Sequence, residues 1–94
     1  MITQNNVTKE VNAAYAEMEQ IIDRTSSTGT YWINDQYLIY GYLEDSNGED
    51  DMWIHLSVER DGNTYYETDT EDSISKAGLI NALEECLKWF YGKL

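Results

Sequence analysis

The period of the apolar residues changes twice along this chain, and that change leaves few folds open. Between Val7 and Ile22 the residues Val7, Val11, Ala14, Tyr15, Met18, Ile21 and Ile22 recur at three- and four-residue steps, which places them on one stripe of an amphipathic helix. Lys9, Asn12, Glu19, Gln20 and Asp23 fall outside the stripe. Thr25-Ser26-Ser27-Thr28-Gly29 is a run of weak helix formers closed by glycine, so the helix is expected to end near Arg24 with a loop after it. From Thr30 to Thr70 the pattern turns to β. Four segments, Thr30–Ile33, Gln36–Leu43, Met52–Arg60 and Asn63–Thr68, are rich in aromatic and β-branched residues, with turn residues between them at Asn34-Asp35, Asp45-Ser46-Asn47-Gly48 and Asp61-Gly62. The third alternates cleanly: Ile54, Leu56 and Val58 form a core side, and Trp53, His55, Ser57 and Glu59 an outer one. From about Ser73 to Gly92 the helical period returns. Leu79, Ile80, Leu83, Cys86, Leu87, Phe90, Tyr91 and Leu94 share one broad face and Asn81, Glu84, Glu85 and Lys88 the other. Trp89 stands off the centre of the apolar face, to cover the helix edge or to serve a dimer contact. This order predicts a single α+β domain over residues 1–94, with two layers: an antiparallel three- to four-stranded meander flanked by an N-terminal and a C-terminal helix.

The Asp61-Gly62 turn can close in two ways. A two-residue turn pairs Leu56 with Glu67 and carries Glu67 and Asp69 to the core side of the sheet. A three-residue turn with Gly62 as a left-handed bulge pairs Leu56 with Tyr66 and sends Tyr65, Glu67 and Asp69 outward. Burying two unpaired carboxylates costs too much, so the bulged turn is the expectation.

At 94 residues there is room for one core and no deep substrate cavity. Asp and Glu number 18 against 6 Lys and Arg, for a formal net charge of -12. Nucleic acid and anionic membrane would be repelled as direct partners, and cationic proteins or cations favoured. Three Trp, eight Tyr and a hydrophobic fraction of 41% are too much apolar matter for a chain that stays unfolded. The start carries neither a basic segment nor an apolar stretch, and a single cysteine permits no internal disulfide, so the expected location is the cytoplasm.

Half of the carboxylates fall in two short stretches: Glu44, Asp45, Glu49, Asp50 and Asp51 around one turn, and Glu67, Asp69, Glu71 and Asp72 at the end of the last strand. Alternate strand residues lie on one face about 6.8 Å apart, so Glu67 and Asp69 make a spaced row of like charge that resembles a phosphate backbone in outline. Glu71 and Asp72 also precede the second helix, where negative charge suits its dipole. Tyr40 or Tyr42, with Trp53 and Tyr65, should lie on the same uncovered sheet face and supply rigid amphipathic anchors. The competing reading is a solvated acidic surface kept for solubility. No metal site, cofactor motif or catalytic motif is found. Asp45 to Asp51 has its glycine fourth rather than sixth, and Leu56 stands where a calcium loop needs a glutamate. His55 faces outward and Cys86 inward, so they cannot share a zinc ion. The chain is therefore not expected to be an enzyme. Its expected partner is a basic DNA-binding protein, met by a monomer or a homodimer.

The stretch from Ile54 to Phe90 resembles small acidic phage-encoded anti-CRISPR proteins that inhibit RNA-guided type II nucleases. The resemblance runs from the alternating strand through Arg60-Asp61-Gly62-Asn63-Thr64-Tyr65 and the acidic strand end Glu67, Asp69, Glu71 and Asp72 into Ser73-Ile74. It implies occupation of a nuclease's DNA-entry site, where arginines read a short duplex motif, and the cytoplasm of a host cell. The densest acidic loop, which precedes the central strand here, departs from that pattern, as does a short tail carrying Lys93. An immunity or adaptor protein for one specific basic partner is the alternative.

Overall fold

The computed structural model describes residues 4–45, 52–70 and 74–92. Their elements are α1 (Gln4–Ile22), β1 (Thr28–Trp32), β2 (Leu38–Asp45), β3 (Met52–Arg60), β4 (Asn63–Asp69) and α2 (Lys76–Gly92). The strands form one antiparallel meander in the order β1-β2-β3-β4. Both helices pack on one face of it, α1 over β1 and β2 and α2 over β3 and β4. The expected α+β two-layer domain is present, with four strands.

The helix stripes bury as their spacing predicts. Val7, Val11, Ala14, Met18 and Ile21 of α1 meet Leu79, Leu83, Cys86 and Leu87 of α2 above Ile39, Ile54, Leu56 and Val58 of the sheet. Trp89 covers the helix edge by stacking on Tyr66 of β4, with centroids 5.5 Å apart. Cys86 is fully buried, and burial pushes its thiol up to about 12. Glu10 ties three elements together: Tyr31 of β1 donates to its Oε2 at 2.9 Å, and Tyr91 of α2 donates to its Oε1.

α1 ends at Ile22, close to the expected Arg24, whereas α2 starts later than expected. Arg24, at φ 65°, takes the left-handed position past α1, and the amides of Thr25 and Arg24 bond back to the carbonyls of Gln20 and Ile21. That is a Schellman closure made without glycine. Thr28 and Gly29, read as loop, belong to β1. Gly29 pairs with Gly41 of β2 directly beneath α1, so two positions without side chains let the helix approach the sheet. At the other end α2 begins at Lys76 instead of about Ser73. Its cap is Ser75, whose Oγ accepts from the Gly78 amide at 3.0 Å.

The β3–β4 turn corrects the expectation as well. Asp61 (φ 52°) and Gly62 (φ 81°) both have positive φ and Arg60 pairs with Asn63, the tight two-residue turn that suits strand twist. A register shift then falls between Val58 and Glu59: Glu59 faces Thr64, but Val58 faces Tyr66. Tyr65 is the extra residue. Beyond this bulge Leu56 pairs with Thr68, not Tyr66, and Glu67 and Asp69 point away from the helices as the carboxylate argument requires. The slip that a tight turn would impose is undone one pair later.

Candidate functional site

The sheet face opposite the helices carries a grid fixed by register. Glu44 lies opposite Trp53. In the next row Tyr42, His55 and Asp69 stand side by side, and in the row after that Tyr40, Ser57 and Glu67; Leu38 and Glu59 follow. Trp32, paired with Leu38 at the end of β1, is 56% exposed. The only lysine or arginine in any of the four strands is Arg60. Its guanidinium lies 5.3 Å from the centroid of the Tyr37 ring and donates to the Tyr37 hydroxyl. No lysine or arginine therefore offsets Glu44, Glu59, Glu67 and Asp69 among the described residues of this face.

At the centre of the grid stands His55. Its Nδ1 is 2.6 Å from Asp69 Oδ1, and its Nε2 is 2.8 Å from Glu67 Oε1. The ring packs against Tyr42, at 5.2 Å between centroids, and Tyr42 in turn against Tyr40 at 5.7 Å. The imidazole side chain is only 17% exposed, whereas Glu67 and Asp69 remain 59% and 51% exposed, so each carboxylate grips the ring and still meets solvent. Burial alone lowers the His55 pKa, but hydrogen bonding and charge from Asp69 and then Glu67 outweigh it and raise the value above the ordinary one. Burial, followed by the charges of Glu44, Glu67 and Asp69, also pushes the Tyr42 phenol up. Ser57 is buried beneath its neighbours and donates to Glu59 at 2.8 Å.

A raised folded-state pKa fixes the sign of the pH dependence. The cationic His55 stabilises the β3–β4 pairing fully below the unfolded histidine pKa of about 6.5, and the contribution is lost as pH rises through the folded value. The stability difference between the wild type and His55→Gln is therefore expected to shrink from pH 6 towards pH 9, measured by urea unfolding in chelator-treated buffer. The groups facing the imidazole are Tyr42 and Glu44 from β2 and Glu67 and Asp69 from β4. A difference that grew with pH would contradict this assignment.

No protein-family model, curated protein or solved structure matches this chain. The face has to be read from its own geometry.

Of the residues expected in the site, Glu44, Trp53, Glu67 and Asp69 share this face, and both Tyr40 and Tyr42 join them. Asp45 ends β2, while Glu49, Asp50, Asp51, Glu71 and Asp72 lie outside the described residues. Tyr65 does not belong with the open-face aromatics. The bulge turns it towards Tyr37, with ring centroids 5.9 Å apart, and Tyr37 itself packs on Phe90 of α2 at 5.2 Å. His55, which the sequence places on the outer side of its strand without a site role, is the centre of the cluster. The signal that would have found it is the register: with Leu56 opposite Tyr66, His55 would have faced Glu67, whereas the observed pairing sets it opposite Asp69 and within reach of both carboxylates.

Proposed function

We propose that this chain is a binding protein without catalytic activity, and that it acts as an inhibitor by occupying a basic, nucleic-acid-binding surface on a DNA-targeting defence protein. The observation that carries the reading is the composition of the open sheet face. Four carboxylates and the rings of Tyr40, Tyr42, Trp53 and Trp32 stand on it without an intervening Lys or Arg among the described residues. Carboxylates at alternate strand positions, about 6.8 Å apart, offer lysines and arginines the spaced negative charge that they would otherwise find in phosphates. Rigid aromatics beside them supply the apolar area from which interface hot spots are built. A net charge of -12 adds long-range steering towards a cationic target. The anti-CRISPR resemblance names one such target class, the RNA-guided nuclease.

Immobilised protein is expected to retain one such enzyme from a bacterial lysate containing RNA-guided nucleases and other DNA-binding defence proteins. The salt should be about 0.15 M, where exposed charges more than about 8 Å apart are largely screened. Target DNA should displace the retained enzyme. Binding that ignores DNA would overturn the mimicry and leave an adaptor for a single basic partner; retention of nothing would leave the acidic face to solubility.

A further inference from the structure

Three strands each bring one metal-binding side chain to the same point of the open face: Glu44 from β2, His55 from β3 and Asp69 from β4. A nitrogen of His55 and one carboxylate oxygen from each acid lie within 4.8 Å of one another. We propose that these three residues bind a divalent transition-metal ion, with Zn2+ as the best chemical fit. This inference stands apart from the proposed function, since it needs no partner protein.

The donor set decides the class of ion. Two carboxylates alone would suit calcium or magnesium, but an imidazole nitrogen selects zinc and its neighbours. Bonds of about 2.0–2.2 Å in tetrahedral array set donor atoms roughly 3.4 Å apart. Glu44 closes in from its present place, and the 2.6 Å between Nδ1 and Asp69 Oδ1 opens by less than an ångström as the ion replaces the proton between them. That proton leaves to solvent. The fourth position faces outward, towards water.

A separate feature equips the ring for this task. Glu67, outside the donor triad, holds Nε2 at 2.8 Å on the side of the ring away from Nδ1. A carboxylate that accepts from the distal N–H of a metal-bound histidine fixes its tautomer and increases its basicity. Here it keeps the proton on Nε2 and presents the Nδ1 lone pair to the ion. The Tyr42 ring at 5.2 Å limits rotation of the imidazole, and the three-stranded pairing holds the backbone. Unlike an acidic loop, the site rests on hydrogen-bonded strands.

Calorimetric titration of the full chain with Zn2+ near neutral pH and about 0.15 M salt tests the proposal, with Co2+ absorbance reporting coordination geometry. One equivalent is expected to bind. His55→Gln should weaken binding by about tenfold or more, and Glu67→Gln, which removes only the support for the ring, by about tenfold. In the wild type the His55 ring resonances should shift with saturation at one equivalent, a readout that needs no variant. Absence of saturable binding up to millimolar Zn2+, or unchanged affinity in a folded His55→Gln protein, would overturn the site and leave only ions condensed on an acidic surface.

Discussion

Gly41→Val is expected to lower the stability of this domain by about 3 kcal/mol, at the upper end of the cost of overpacking a core. A Cβ at Gly41 would stand 2.7 Å from Leu56 Cδ2, with Met18 Sδ at 3.4 Å and Ile21 Cδ1 at 3.6 Å behind it. Leu56, Met18 and Ile21 are all fully buried, so none can swing into solvent to make room. Moving α1 outward would instead loosen its contact with β1, where Gly29 is also closely covered: a Cβ there meets Met18 Cγ and Gln20 Nε2 at 3.1 Å. The gain from replacing a strand glycine, about 0.5–1 kcal/mol, offsets only part of this. Gly92→Ala, at a position with nothing within 4 Å, is expected to be neutral or slightly stabilising. Urea unfolding of the two variants gives the comparison. Wild-type stability in Gly41→Val would mean that α1 does not approach β2 as closely as described.

Under the proposed function, replacing Glu67 and Asp69 together, as Glu67→Gln with Asp69→Asn, is expected to cost most of the affinity for the proposed basic partner. Truncating one member of a desolvated charge pair in an interface typically costs about 2–5 kcal/mol, which is roughly 30- to 5000-fold in Kd. The domain itself should change little. Both carboxylates are more than half exposed, and exposed ion pairs are worth about 0–1 kcal/mol. The binding loss and the folding effect therefore separate, and circular dichroism with unfolding curves in chelator-treated buffer verifies the second while calorimetry reads the first.

How much of this was legible in sequence depended on which residues set each feature. The helix stripes and the Ile54-Leu56-Val58 core side were fixed by period alone, because apolar side chains have one place to go. The outward aim of Glu67 and Asp69 also followed, from the cost of burying them. The route to it did not: a tight Asp61-Gly62 turn followed by a bulge at Tyr65 gives these acids the same facing as a wider turn, but shifts every partner beyond the bulge by two residues. That shift is what sets His55 against Asp69, and it draws Tyr65 away from the open face towards Tyr37. Gly29 read as loop punctuation because glycine breaks strands in general; here the proximity of α1, a tertiary fact, demands it. Arg24 in a left-handed cap has no sequence signal of the usual kind, since glycine or asparagine normally fills that place.

The proposed function assigns binding to the open sheet face rather than to the overall negative charge. Affinity for the retained partner measured with two charge-matched variants tests it most directly. One is Glu67→Gln with Asp69→Asn; the other is Glu17→Gln with Glu19→Gln, both exposed on α1 across the domain from the open face. Each raises the net charge by the same amount. The open-face variant is expected to lose at least about 30-fold in affinity while the α1 variant stays within a few-fold of the wild type; equal losses in the two would contradict the account and assign binding to bulk charge.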